Sequence, residues 1–203
     1  KKITMDIIFG NKFQFWVMLN FFDSFFKKDN DLEKMNFSLE IGPHTDLETL
    51  PPVKDVYVTM LPGGDYKDTA DKSGNLVKKG FNPVPHFPAR SINNEEELKE
   101  YVSRCKDQGV KQALVIGGSR DPIGKFDSSY QILETGFFDG IKIGIAGHPE
   151  GSPDIPEQNL EKAMVDKKPY ADYIVTQWLL DSQPIVDFIS KQSVPVHVGI
   201  TGP

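Results

Sequence analysis

The chain has 203 residues, of which 38% are hydrophobic and 26% are charged, as is typical of one soluble globular domain. Its formal net charge of −6 argues against a nucleic-acid-binding protein held by phosphate contacts. A single cysteine, Cys105, excludes a disulfide framework within the chain and favours a reducing compartment, so we predict a cytoplasmic protein.

The first 35 residues are rich in aromatic side chains that recur at helical spacing. Asp6, Asn11 and Lys12 interrupt the apolar residues, which argues against a signal peptide and against a membrane span. We predict an N-terminal extension over residues 1–35 that contains an amphipathic helix, packed on the main domain or on a partner subunit in a homo-oligomer. Its apolar positions are Phe15, Met18, Leu19, Phe22, Phe25 and Phe26.

From residue 36 onward, short apolar and β-branched runs alternate with polar segments of helical period. The seven runs predict strands at 36–41, 55–60, 83–87, 112–117, 142–147, 172–177 and 194–199. The clearest helices are predicted at 94–108, 128–138, 156–168 and 181–192. The segment 66–79 is polar and contains Gly74, so only a weak helix is expected there.

Strict alternation of strands and helices predicts a parallel sheet, either an open doubly wound sheet or a closed (β/α)8 TIM-type barrel. Spacings of about 20 to 30 residues between strands favour the barrel. We therefore predict an α/β fold with a barrel domain over residues 36–203, truncated after the seventh strand. The natural protein is expected to continue for about 80–100 residues, on the usual barrel length.

Polar residues gather where the predicted strands end, which is where a barrel places its active site. Glu40 ends the first run, and a carboxylate there is costly to bury unless it is used or paired. We predict a general acid with a raised pKa. The four histidines, at positions 44, 86, 148 and 197, lack the close spacing of metal ligands, so no metal is predicted.

The loop GGSRDPIG, residues 117–124, follows the fourth run and is rich in glycine, as phosphate-binding loops are. Five residues separate Gly118 from Gly124, and Phe126 stands where a hydroxyl residue would be needed, so the P-loop motif is absent. Pro122 restricts Asp121 to extended conformations. The loop is thus predicted to deliver the carboxylate of Asp121 to the active face.

Taken in order, the segments SLEIGP, VTMLPGGD, PVPHF, RDPIG, GIAGHPEGSP, ADYIVTQ and VGI resemble those of the 5,10-methylenetetrahydrofolate reductases. The resemblance covers about residues 36–201. It implies a flavin-containing barrel in which FAD takes hydride from NAD(P)H. The reduced flavin then converts 5,10-methylenetetrahydrofolate to 5-methyltetrahydrofolate, a step of one-carbon metabolism that serves methionine biosynthesis.

The resemblance also implies a role for individual residues. Glu40 would be the general acid that protonates the leaving nitrogen, and Asp121 would lie near the flavin and the pterin. Gln177 would bind folate and nicotinamide. The positions implied to bind the cofactor are Thr59, His86, Arg120, Asp121, Ala146, His148 and Lys162.

Two alternatives to a folate reductase stay open from the sequence. One is a divergent folate-binding paralogue that works in the oxidative direction, or without tightly bound flavin, in one-carbon catabolism. The other is a non-enzymatic binding or regulatory subunit, against which the strand-end Glu40 argues, because a scaffold needs no carboxylate there. Neither alternative involves nucleic acid or a membrane.

Overall fold

The structure is a computed structural model that describes residues 6–10, 36–153, 155–178 and 181–200. Eight parallel strands form a closed barrel in which neighbours in the chain are neighbours in the sheet. The strands are β1 Asp6–Gly10, β2 Asn36–Ile41, β3 Asp55–Val58, β4 Asn82–Pro88, β5 Gln112–Ile116, β6 Lys142–Gly147, β7 Tyr173–Trp178 and β8 Val196–Gly199. The predicted α/β barrel is confirmed, and β2 to β8 correspond to the seven predicted strands.

The eighth strand lies at the N-terminal side of the predicted seven. β1 pairs with β2 from Asp6↔Asn36 to Gly10↔Glu40, and it pairs with β8 through Ile7↔Val198 and Ile8↔Gly199. The sequence analysis placed residues 6–10 in a helical extension and missed this strand, because one polar residue beside a short apolar run is a weak strand signal. The helix predicted around Phe15–Phe26 lies outside the described residues.

Five helices accompany the strands: α1 Tyr66–Lys78, α2 Glu95–Asp107, α3 Ser129–Glu134, α4 Glu157–Lys167 and α5 Ser182–Ser190. α2 begins as predicted, because the side chain of Asn94 accepts a hydrogen bond from the backbone N–H of Glu97. α3 ends earlier than predicted. Gly136, with φ of 71°, adopts the left-handed conformation that commonly follows the end of a helix.

α1 is a full helix of 13 residues, although only a weak one was predicted. Gly74 faces α2, where a Cβ would lie 1.7 Å from Oε1 of Gln108, so the glycine permits the two helices to approach closely. Asp71 and Arg104 join the same helices through paired hydrogen bonds of 2.8 Å. Packing between α1 and α2 therefore compensates for the low helix propensity of glycine.

The main hydrophobic core lies outside the barrel, between the strands and α1 to α3. Phe87 is fully buried there and stacks on Tyr101 with ring centroids 4.0 Å apart. Cys105 is also fully buried in this core, and burial raises the pKa of its thiol to about 12. The thiol is therefore a small apolar core group.

A smaller cluster fills the inside of the barrel and separates its two ends. Its buried members are Tyr57, Val84, Leu114, Tyr173 and Val175. The ring of Tyr173 reaches across the barrel because residue 144 on the neighbouring strand is glycine. A Cβ at position 144 would lie 2.5 Å from Cε2 of Tyr173.

We expect Gly144→Ala to destabilise the barrel by about 1–3 kcal/mol, because the added methyl group must displace a fully buried ring. Gly117→Ala is the matched control: its Cβ would meet nothing within 4 Å, and we expect a change within about 0.5 kcal/mol. Urea unfolding followed by circular dichroism measures both free energies of unfolding. Equal stabilities for the two variants would contradict the tight packing of Tyr173.

Candidate functional site

A cavity of about 1380 Å³ opens at the carboxyl ends of the strands. Side chains from β2, β7 and the loops after β4, β5 and β6 line it, together with one face of α4. Its ionisable lining residues are Glu40, Arg90, Arg120, Asp121, Asp127, His148 and Lys167. The site therefore lies at the end of the barrel where the sequence analysis placed it.

Glu40 lies on β2 and directs its carboxyl group into this cavity. Its neighbours Leu39 and Ile41 pack in the core on the outside of the barrel, so strand alternation turns Glu40 inward. Burial raises the pKa of its carboxyl group above the ordinary value of 4.5. A carboxyl group that keeps its proton nearer to neutral pH can act as a general acid.

His86 lies next to Glu40 on the inner face of the barrel. Its Nε2 is 3.8 Å from Oε2 of Glu40, which is too long for a hydrogen bond. Burial lowers the pKa of His86 to about 4, so its imidazole is neutral near pH 7 and the contact is not an ion pair. Nε2 of His86 and Oγ of Ser38 are buried polar atoms without a hydrogen-bond partner among the described residues.

A second polar group lies deeper, within the barrel. The hydroxyl of Tyr57 and Nδ1 of His197 are 2.8 Å apart, and the ring of Tyr173 stacks on His197 with centroids 4.5 Å apart. Burial, with a smaller contribution from Lys142, lowers the pKa of His197 to about 4. The inside of the barrel therefore holds two neutral histidines, at different distances from the cavity.

The loop 117–124 is held against the β4–α2 connection by Arg90. The backbone N–H of Arg90 donates to the carbonyl of Gly117, and its carbonyl accepts from Ile123. Nε of Arg90 donates to the carbonyl of Asp127 at 2.8 Å. These bonds keep Arg120 and Asp121 at the rim of the cavity. No hydrogen bond or ion pair joins Arg120 to another described residue.

Lys167 contributes a buried amine to the other side of the cavity. It is the last residue of α4 and only 7% exposed, and its Nζ lies 3.4 Å from the carbonyl oxygen of Ala146 at the end of β6. Burial lowers the pKa of the Lys167 amine. Burial, followed by the charge of Lys167, lowers the pKa of His148.

Most of the predicted site residues meet in this cavity. Glu40, Arg120, Asp121, Ala146, His148 and Gln177 line it. His86 lies beside Glu40, whereas Thr59 does not line the cavity and its hydroxyl donates to the carbonyl of Ile41. Lys162 is outside as well, because its exposed side chain pairs with Asp166 one helical turn away.

Sequence reasoning missed Arg90 and Lys167. Arg90 follows β4 closely, and the rule that strand ends carry the site could have identified it. Lys167 is one of two adjacent lysines at a helix end, where lysine ordinarily faces solvent and favours the helix dipole, so no sequence signal marked it.

Over residues 6–10, 36–153, 155–178 and 181–200, no group of three or more His, Cys, Asp or Glu side chains could hold a metal ion. Within the same ranges, every helix is too short or too polar to cross a membrane.

Comparison with known proteins relates the chain to enzymes with the same fold. No family model matches the sequence. The structure is similar to oxaloacetate acetylhydrolase, with a TM-score of 0.55 and 11% identity over 84% of this chain and 77% of that one. It is similar to a protein from Burkholderia cenocepacia described as a phosphonomutase, with a TM-score of 0.54 and 11% identity over 95% and 76% of the two chains.

These comparisons correct the prediction of a methylenetetrahydrofolate reductase. The solved structures are named for an acetylhydrolase and a phosphonomutase, and no family model supports the resemblance. The predicted reduction of folate, its FAD and NAD(P)H, and the oxidative folate-binding alternative are therefore wrong. The segments that suggested them end the strands of a barrel, and they mark an architecture that is shared by many enzymes.

We expect the free energy of unfolding to fall as pH falls from 6.5 to about 4, because unfolded His86 and His197 take up protons that the folded protein excludes. Each histidine changes the free energy of unfolding by at most about 1.4 kcal/mol per pH unit. Glu40 acts in the opposite direction: its raised pKa favours the folded state at low pH, and this contribution is lost as pH rises through the folded pKa.

Urea unfolding across this pH range measures the slope. Glu40→Gln should steepen the slope of stability against pH, because glutamine does not titrate and so no longer offsets the effect of the two histidines. His86→Gln should flatten the slope of stability against pH. His44→Gln, at an exposed histidine, is the matched control for the loss of a histidine. A stability that rises as pH falls through this range would contradict two buried neutral histidines.

Proposed function

We propose that this protein is an enzyme that breaks or rearranges a bond next to the acidic group of a small carboxylate or phosphonate. The observation that carries the proposal is the cavity itself, where the carboxyl group of Glu40, whose pKa is raised by burial, faces basic groups from the surrounding loops and α4. Such a site binds an anion and transfers a proton beside it.

The basic groups supply anion binding. Arg120 has no partner among the described residues, so its guanidinium is available for a bidentate contact with a carboxylate or phosphonate. Lys167 lines the same cavity with a buried amine that can donate a hydrogen bond to a bound anion. Arg90 orders the loop that carries Arg120, which reduces the conformational freedom that binding must remove.

Two carboxyl groups are the candidates for proton transfer. Glu40, with its raised pKa, is the general acid that protonates the atom on which negative charge develops. Neutral His86, 3.8 Å away, has a pKa of about 4 and is a weaker base than the Glu40 carboxylate, so it leaves the proton on Glu40. Asp121, exposed at the rim, is the candidate base. Gln177 is a candidate for a neutral hydrogen bond to substrate.

The names of the two solved structures support a small anionic substrate. Oxaloacetate is a dicarboxylate that is split by hydrolysis, and a phosphonomutase rearranges a phosphonate. Both reactions change a bond close to an acidic group, and both call for cations and a proton donor in one cavity. A substrate of that class fits the lining of this cavity, whose basic side chains are Arg90, Arg120 and Lys167.

A panel of 2-oxo dicarboxylates, hydroxy acids and phosphonates, followed by proton and phosphorus NMR, tests the activity. We expect one class to be consumed, and Glu40→Gln to lower kcat by about 10²–10⁴-fold while substrate binding persists, because the isosteric amide cannot donate the acid proton. Glu48→Gln, on an exposed surface carboxylate, is the control. Unchanged turnover in Glu40→Gln would refute the assignment of the acid.

Arg120→Ala should raise KM about 10–100-fold with a smaller effect on kcat, because it removes one charge-assisted contact to the anion. Arg104→Ala removes an equal charge on the outside of the barrel, where Arg104 pairs with Asp71, and should leave KM unchanged. Steady-state kinetics on the substrate found in the panel measures both. Identical KM values in the two variants would show that Arg120 does not bind the substrate.

A further inference from the structure

Lys167 differs from an ordinary anion-binding lysine in its surroundings. It is 7% exposed, and among the described residues its Nζ has a single hydrogen-bond acceptor, the carbonyl oxygen of Ala146 at 3.4 Å. No carboxylate of the described residues lies within ion-pair distance of this amine. His148 is a titratable neighbour of this amine and is itself a base.

A buried amine without a carboxylate partner favours its neutral form, because burial penalises the ammonium ion and no negative charge compensates for it. The neutral amine carries a lone pair and is a nucleophile toward carbonyl carbon. The same amine lines the cavity, so its lone pair is accessible to a molecule bound there. Lys162, five residues earlier on α4, is exposed and held by Asp166, and it has neither property.

We propose that Lys167 forms a covalent imine with the carbonyl group of a 2-oxo acid bound in the cavity. This inference rests on the proposed function, and it narrows the substrate from a small anion to one with a ketone beside its acidic group. Arg120 would hold the carboxylate of that substrate at the rim.

The chemistry balances without a co-reactant. The nitrogen of Lys167 attacks the carbonyl carbon, and a proton moves from nitrogen to oxygen to give a carbinolamine. Protonation of its hydroxyl group expels one water molecule and leaves a protonated imine. The bond from the next carbon to its substituent carbon then breaks, and that substituent leaves as carbon dioxide or a carbonyl compound. The bonding pair forms the C=C bond of an enamine, while the C=N pair moves to nitrogen. Protonation of the enamine and addition of water release the product and restore the free lysine.

Reductive trapping tests the imine directly. The full chain is incubated with pyruvate, which has both the ketone and the carboxylate, and sodium borohydride is then added. Borohydride reduces the imine to a stable secondary amine, so intact mass and peptide mapping report one reduced pyruvyl group and its position. Lactate, which has the carboxylate and no ketone, is the control ligand and should give no adduct.

Two variants distinguish Lys167 from the other lysines. Lys167→Arg keeps a long basic side chain and removes the nucleophile, because guanidinium does not deprotonate in proteins. It should abolish the adduct, while Lys162→Arg should leave it unchanged. A lysine with the reference pKa is neutral in only about one part in a thousand near pH 7.4, so surface lysines should be labelled far more slowly. Circular dichroism confirms that each variant is folded.

An adduct that maps to Lys167 and disappears in Lys167→Arg supports the imine. An adduct spread over surface lysines, or one that persists in Lys167→Arg, overturns it. Turnover of a substrate from the panel with no trapping at Lys167 also overturns the imine, while the acid–base role of Glu40 stands. Trapping at Lys167 with unchanged turnover in Glu40→Gln gives the opposite result, in which the imine holds and the proposed role of Glu40 fails.

Discussion

Closure of the barrel is the constraint on which the rest of the structure depends. β1 pairs with both β2 and β8, so every strand has a partner on each side and no edge of the sheet is open. Because all strands are parallel, all their carboxyl ends meet at one rim. Side chains far apart in sequence, such as Glu40 on β2 and Gln177 on β7, therefore line one cavity. Inside the closed barrel, Tyr57, Tyr173 and their apolar neighbours form a buried cluster.

Burial explains the electrostatics of the site with a single cause. Burial is the largest contribution to the shifted pKa of Glu40, His86, His197 and Lys167, and in each case it favours the neutral form. A protonated carboxyl group, a neutral imidazole and a neutral amine are the forms that donate a proton, accept one and attack carbon. The same desolvation that costs folding energy thus prepares the groups for chemistry.

The fold was largely predictable from the sequence, and the site was predictable in part. The β-branched runs gave seven strands, and the strand-end rule found Glu40, Asp121 and Gln177. β1 was missed because a polar residue beside a short apolar run is a weak strand signal, and α1 was underestimated because contact with α2 compensates for Gly74. Lys167 was beyond sequence reasoning: its depth depends on how α4 packs against β6, and a lysine at a helix end carries no mark of burial.

The wrong family assignment has a related physical origin. The seven segments follow the order of barrel strands, and in them apolar residues are followed by glycine, proline and polar side chains. This pattern is what the structure demands of strands that end at one rim. Those demands apply to barrels of many functions, so agreement with them is evidence for architecture. Reaction type depends instead on which charged groups reach the cavity and in which protonation state. Here Lys167, a residue outside every one of those segments, has the burial and the access that distinguish a reactive amine from a surface charge.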